Sequence, residues 1–329
     1  MESFSDRVLV QADWLAEGNE LTLLVHQITW ESDGVLSVRL RGLNGQQLPA
    51  WQPGAHIDVH LSGSLVRQYS LCSDPGDLSH YRIGVRREEI SSGGSSFVHE
   101  RLRPGQTVRV VGPRNKFTVR SAERYAFVAG GIGITPILAM VRQCEEHQSD
   151  WELFYAGRTH KSMAFLSELE GYGDKVHLFA ADTGSRINLV ELVAALPDET
   201  EVYACGPENL LNELEVVCGA PHVLHLERFK AKARPVTEGG DSPIEVSCAK
   251  SGITVEVAPD VSILEALEEA GLNVASSCRE GICGTCELRV LEGVPDHRDF
   301  ILSPAEQKSN EVMMVCVSRA VSPNLVLDV

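Results

Sequence analysis

Three regimes of hydrophobic patterning follow one another along the 329-residue chain. Up to about residue 121, apolar and polar positions alternate in short β-rich runs: Leu21–Val25, Val35–Leu40, His56–Leu61 and Thr107–Val111. Pro53-Gly54, Pro75-Gly76, Pro104-Gly105 and Gly112-Pro113 punctuate them. Even strand lengths between Pro/Gly turns predict an antiparallel β-barrel. Over residues 122–229 the period changes. Near-continuous apolar strands at 125–129, 151–156, 175–180 and 201–205 alternate with helical stretches such as Pro136–Glu146. That alternation predicts a doubly wound parallel sheet, an α/β domain. Lys230–Asp241 has no hydrophobic period, starts basic and then carries Pro235, Gly239 and Gly240, so it predicts a linker.

The third regime covers residues 242–329. Ile244–Cys248 and Ile253–Val257 predict a hairpin. Ser262 stands before an apolar run with Glu265 three residues on, a capping box, and Gly271 is placed to end the helix. The chain as a whole is therefore multidomain, α+β and α/β. No apolar run approaches the roughly 18 residues of a membrane span. Met1–Asp6 is neither basic nor apolar enough for a targeting peptide, which predicts a cytoplasmic protein with no membrane association. Net charge is −17, against nucleic-acid binding. The charge is uneven: net zero over 1–121, −8 over 122–240 and −9 over 241–329. An acidic third domain either steers a basic partner or serves solubility.

Cys278, Cys283, Cys286 and Cys316 change the picture most. Their C-x4-C-x2-C…C spacing is that of a plant-type [2Fe–2S] cluster. Gly281, Gly284 and Thr285 let a short loop wrap the sulfides, with amide N–H groups turned toward sulfur. Structural zinc ordinarily uses two paired knuckles, whereas here the distal cysteine is single. Val315–Ser318, around Cys316, alternates as a strand does. Hairpin, helix, cluster loop and strands predict a β-grasp domain. Such a cluster moves single electrons, so it needs a donor and an acceptor.

Three motifs upstream suit a donor. Gly130-Gly131-Ile132-Gly133-Ile134-Thr135-Pro136 leaves a buried strand and opens a helix, where a pyrophosphate meets free N–H groups. It is not G-x-G-x-x-G. Cys205-Gly206-Pro207 falls at the C-terminal end of another parallel strand. In the barrel, Arg67-Gln68-Tyr69-Ser70 offers a cation, an aromatic face and a hydroxyl suited to a flavin. Ser92-Gly93-Gly94-Ser95-Ser96, before an apparent helix at Phe97–Leu102, suits a phosphate. Each motif alone is ordinary strand or loop sequence; their order, ahead of a cluster domain, is not.

In these motifs the chain resembles the phthalate dioxygenase reductase family, which is similar to ferredoxin–NADP reductases with a plant-type ferredoxin fused at the C-terminus. The resemblance runs from about residue 17 to Val329. It implies that Arg67, Tyr69 and Ser70 bind FMN, with Ser70 near the ring N5, and that Gly94, Ser95 and Ser96 hold the phosphate. Gly131, Gly133, Thr135, Gly206 and Pro207 would line the NADH site, with Cys205 near the reacting nicotinamide carbon. Ser70 and Cys205 would position and tune the hydride transfer. Phe229 would cover the flavin, or else pack domains together. Ser92 stands where the family often has a basic residue, leaving phosphate charge to Arg67 with Arg86 or Arg87 as helpers. Arg158 could serve NADPH, but Asp182 at the next strand end and the family habit favour NADH.

The implied activity is that of an NADH-dependent reductase. It would pass electrons from NADH through FMN and [2Fe–2S] to a separate Rieske-type terminal oxygenase, as a monomer. A stand-alone diaphorase or ferric or flavin reductase is the alternative, though it would not need a fused cluster. A redox sensor is a third reading, against which the nucleotide motifs argue.

Overall fold

A computed structural model of the chain describes residues 20–62, 65–89, 93–230 and 241–329. Ser92 and residues 231–240 of the expected linker lie outside them.

The first unit is a six-stranded antiparallel sheet of β1 (Glu20–Ser32), β2 (Val35–Gly42), β3 (Ala55–Ser62), β4 (Leu65–Ser70), β5 (His80–Arg86) and β6 (Thr107–Asn115), with α1 (Gly94–Glu100) between the last two. Its order is β4-β3-β6-β1-β2-β5. An isolated bridge between Leu71 and Ile83 joins the two edges, so the sheet closes as a barrel. Val25, Val38, Ile57, Leu71 and Ile83 fill it. The expected helix at Phe97–Leu102 begins three residues earlier, because Gly93 adopts φ +97° and turns the chain into the helix at Gly94. Strand β5 shows no apolar/polar alternation because both its faces are covered. Tyr81, Ile83 and Val85 enter the barrel core, and Arg82 and Gly84 meet the next unit.

That unit is a five-stranded parallel sheet. It contains β7 (Arg124–Gly130), α2 (Ile134–Glu146), β8 (Asp150–Gly157), α3 (Leu166–Leu169), β9 (Val176–Ala180), α4 (Leu189–Ala195), β10 (Glu201–Cys205), α5 (Glu208–Val217) and β11 (Val223–Glu227). The order β11-β10-β7-β8-β9 reverses at β7, as in a doubly wound fold. Phe127, Trp151, Tyr155 and Tyr203 are fully buried beneath α2 and α3.

The third unit carries β12 (Ile244–Cys248), β13 (Ile253–Val257), α6 (Ile263–Glu269), β14 (Glu287–Glu292), β15 (Pro295–Asp296), α7 (Pro304–Ser309), β16 (Val312–Met314), β17 (Arg319–Ala320) and β18 (Asn324–Leu327). Its main sheet, β13-β12-β18-β14-β16, is mixed, with β12 and β18 parallel. The capping box of α6 forms as expected: Ser262 N donates to Glu265 Oε2 at 2.9 Å and Glu265 N to Ser262 Oγ at 3.1 Å. Ile263, Leu264 and Leu267 are buried under it, at roughly 1.5–3 kcal/mol each. One expectation fails. Val315–Ser318 is a turn, not a strand, closed by Val317 N and Ser318 N donating to Met314 O at 3.2 and 2.9 Å. The turn carries Cys316 out of the sheet toward the cysteine loop.

Ion pairs join the units. The Arg82 guanidinium grips Glu168 bidentately at 2.6 and 2.9 Å, and Arg142 reaches the same carboxylate and Cys72 O. Lys116 Nζ meets Glu287 Oε2 at 3.0 Å, tying the barrel to the third unit. No helix among the described residues is long and apolar enough to cross a membrane.

Candidate active site

All three units line one cavity of about 730 Å³, within the roughly 300–1,000 Å³ of small-molecule sites. The barrel contributes Arg67, Tyr69, Ser70 and Gly94 among others; the parallel-sheet unit contributes Thr135, Glu227 and Phe229; the cysteine loop contributes Cys278. The residues expected around a flavin therefore converge, and the first cluster cysteine faces them.

Gly94 starts α1 directly against Arg67: a Cβ there would stand 2.5 Å from Arg67 Cγ. Ser95 lines the cavity beside it, and Ser95 Oγ accepts from Glu88 N at 3.1 Å. Ser96 does not line the cavity. Arg86 does, but its guanidinium is engaged by Glu88 at 2.7 Å, a carboxylate that Lys230 also reaches at 3.2 Å. Arg87 pairs with Glu100 away from the cavity. Phe229, 38% exposed, forms part of the wall.

Glu227, two residues before Phe229, was not among the expected site residues, yet it is the most perturbed acid of the cavity. Ser70 Oγ donates to its Oε2 at 3.3 Å. Burial pushes its pKa up to about 8, with the Ser70 bond pulling back. A signal existed, since an acidic residue at the C-terminal end of a parallel strand sits at the ligand edge of the sheet. Cys205 is fully buried behind the cavity wall. Burial first, then Glu227, hold its thiol well above its ordinary pKa, so it is neutral.

The two turns of the nucleotide motifs pack on each other. A Cβ on Gly133 would fall 2.2 Å from Cys205 O, and one on Gly130 2.4 Å from Pro207 Cδ. Gly131 needs its φ of +54°. Gly206 approaches the backbone of Gly130. Thr135 Oγ1 donates to Ile132 O at 2.9 Å and faces the cavity. Asp182 is exposed at the end of β9, its Oδ1 accepting from His160 N at 3.1 Å, apart from the cavity but on the same edge of the sheet.

The four thiols influence one another pairwise, Cys278 with Cys283 and Cys286 with Cys316. In each pair one thiol is held down and its partner pushed up. Among the described residues no three ligating side chains converge on a single point. Two sulfurs apiece for two metal atoms is the donor set a [2Fe–2S] cluster requires. Glu280 N and Thr285 N point at Cys278 Sγ and Cys283 Sγ at 3.3 and 3.5 Å. Gly281 and Gly284 have φ of +72° and +75°. A Cβ on Gly281 would strike Val317 Cγ2 at 2.6 Å.

Comparison with known proteins agrees. Residues 246–321 match the 2Fe-2S iron-sulfur cluster binding domain and residues 127–215 the oxidoreductase NAD-binding domain. The phenoxybenzoate dioxygenase subunit beta of Ectopseudomonas oleovorans is 42% identical over 312 residues, 94% of this chain and 97% of that one. The solved structure of phthalate dioxygenase reductase, described as modular for electron transfer from pyridine nucleotides to [2Fe–2S], aligns at TM-score 0.67. It is 31% identical, over 94% of this chain and 98% of that one. The chain belongs to the phthalate dioxygenase reductase family. As a family member it is an NADH-dependent flavin and iron–sulfur oxidoreductase. An intact type IV self-sufficient cytochrome P450 monooxygenase also aligns, at TM-score 0.88 and 41% identity over 94% of this chain, which spans only 41% of that protein.

Proposed function

We propose that this reductase holds FMN in the three-sided cavity and serves a separate Rieske-type terminal oxygenase, acting as a cytoplasmic monomer. The observation that carries the reading is the shared cavity, where the flavin-suited residues and Cys278 face one another. A flavin held there would supply the conversion of the two-electron hydride of NADH into the single electrons that the cluster takes.

Arg67 supplies the cation for the FMN phosphate, and Gly94 and Ser95 supply close backbone and a hydroxyl. Arg86, tied to Glu88, adds little charge. Tyr69 would pack against the flavin and Phe229 would shield it from water. Ser70 and protonated Glu227 form a neutral hydrogen-bonding pair on the cavity wall, so no anion opposes the hydride there. Neutral Cys205 packs beneath the nicotinamide, and Gly131, Gly133, Gly206 and Pro207 let the dinucleotide lie close to the two turns. Thr135 orients the nicotinamide, and Asp182 meets the ribose hydroxyl and repels a 2′-phosphate. Cys278, Cys283, Cys286 and Cys316 bind the irons.

The likeness to a self-sufficient P450 favours a second reading, delivery to a haem acceptor. The test is anaerobic NADH-driven reduction of purified Rieske-type oxygenases and of haem monooxygenases lacking a reductase. Bleaching of a Rieske centre is expected. Reduction of haem alone supports the second reading, and reduction only of free flavin or ferric salts would leave a stand-alone diaphorase.

A further inference from the structure

His56 is a polar group of the cavity to which the preceding account gives no task. It stands on β3, where Ile57, Val59 and Leu61 enter the barrel core, so His56 and Asp58 point the other way. Outward polar residues are ordinarily wet, yet His56 is 4% exposed. Its Nε2 has no hydrogen-bond partner, an unfavourable condition for a buried nitrogen. The neighbouring Asp58 carboxylate is already engaged, by Arg114 at 2.5 Å and Gln68 at 3.2 Å.

The imidazole lines the cavity beside Tyr69 and Ser70, and His56 is the register partner of Ser70 across the β3–β4 pair. Ser277, Cys278, Glu280 and Ile282 of the cysteine loop line the same cavity. Burial, then the Arg114 guanidinium, hold the ring's pKa down at about 4, with Asp58 pulling the other way. The ring is therefore neutral, and Nε2 serves as donor or acceptor according to its tautomer. His222 Nδ1 and His297 Nδ1 are also unpartnered, but among these histidines only His56 belongs to the cavity lining.

We propose that His56 Nε2 hydrogen-bonds the flavin in this cavity, making His56 a further cofactor-binding residue that helps seat the ring beside the cluster loop. The inference rests on the flavin reading above.

The test strips FMN from the full chain and retitrates it by quenching of flavin fluorescence, in wild type and in His56→Gln, His56→Asn and His56→Leu. The Gln amide reaches about as far as imidazole Nε2, the Asn amide only as far as Nδ1, and Leu offers no polar atom. Gln should bind FMN within about twofold of wild type. Asn and Leu should bind about tenfold more weakly, a loss of about 1.4 kcal/mol. The cluster absorbance should be unchanged in all of them. Should Leu fail to fold, the Gln and Asn pair decides. Equal affinities throughout, or a Gln variant as weak as Asn, overturn the role of His56 and leave the flavin reading standing. A wild-type chain that takes up no flavin sinks both.

Discussion

Replacing Glu227 with Gln removes one ionisable group from the cavity and keeps its shape. Burial raises this carboxyl from its ordinary 4.5 to about 8. Because the folded-state value lies above the unfolded one, the folded chain holds a proton between pH 4.5 and 8 that the unfolded chain has released. Stability from this group is therefore fully present below pH 4.5 and falls by about 1.4 kcal/mol per pH unit until about pH 8. Gln has no such proton. The advantage of Gln over Glu should widen by about 2.7 kcal/mol between pH 5 and pH 7. For the barrel and parallel-sheet units melting together, roughly 200 residues, that is about 5–11 °C in Tm. The assay is a pair of circular-dichroism melts in matched buffers, on FMN-free protein so that ligand binding does not enter. Every other titrating group is common to both chains and cancels. Glu227 is only half-buried and lines the cavity; a gap constant from pH 5 to pH 8 would mean that water there lets it ionise normally, and the neutral Ser70–Glu227 pair would then be wrong.

Other substitutions probe other parts of the account. Gly133→Ala puts a Cβ 2.2 Å from Cys205 O; NADH KM should rise at least about tenfold, or about 1.4 kcal/mol, with flavin and cluster spectra unchanged in steady-state ferricyanide assays. Glu168→Ala leaves Arg82 and Arg142 facing each other across the domain seam. With Glu168 part-exposed, the cost should be about 2 kcal/mol rather than the full value of a buried pair, read as a lower Tm of the barrel and parallel-sheet units. Cys283→Ser should abolish cluster-mediated cytochrome c reduction while NADH still reduces the flavin within about twofold of the wild-type rate in stopped flow; loss of both would show that the units do not work separably.

What the sequence revealed and what it concealed divide on locality. The cysteine loop, Gly130–Pro136 and Cys205–Pro207 each carry their chemistry within a few consecutive residues, and the capping box at Ser262 does too. Glu227 finds Ser70 across 157 positions and Arg82 finds Glu168 across 86, so neither pairing leaves a local trace. Strand β5 was hidden because a two-sided environment erases alternation. The residues around Cys316 alternate like a strand, yet the turn is dictated by a thiol that must leave the sheet to reach Cys286. His56 is concealed for a related reason: its burial is created by other parts of the chain, not by its own strand.

The central claim is an internal relay from NADH through flavin to the four-cysteine cluster. An anaerobic NADH titration followed in the visible, with flavin and iron quantified on the same sample, tests it most directly. The account predicts about one FMN and about two irons per chain, with flavin and cluster absorbance both bleached by NADH. Flavin bleaching in a chain that holds no iron would contradict it.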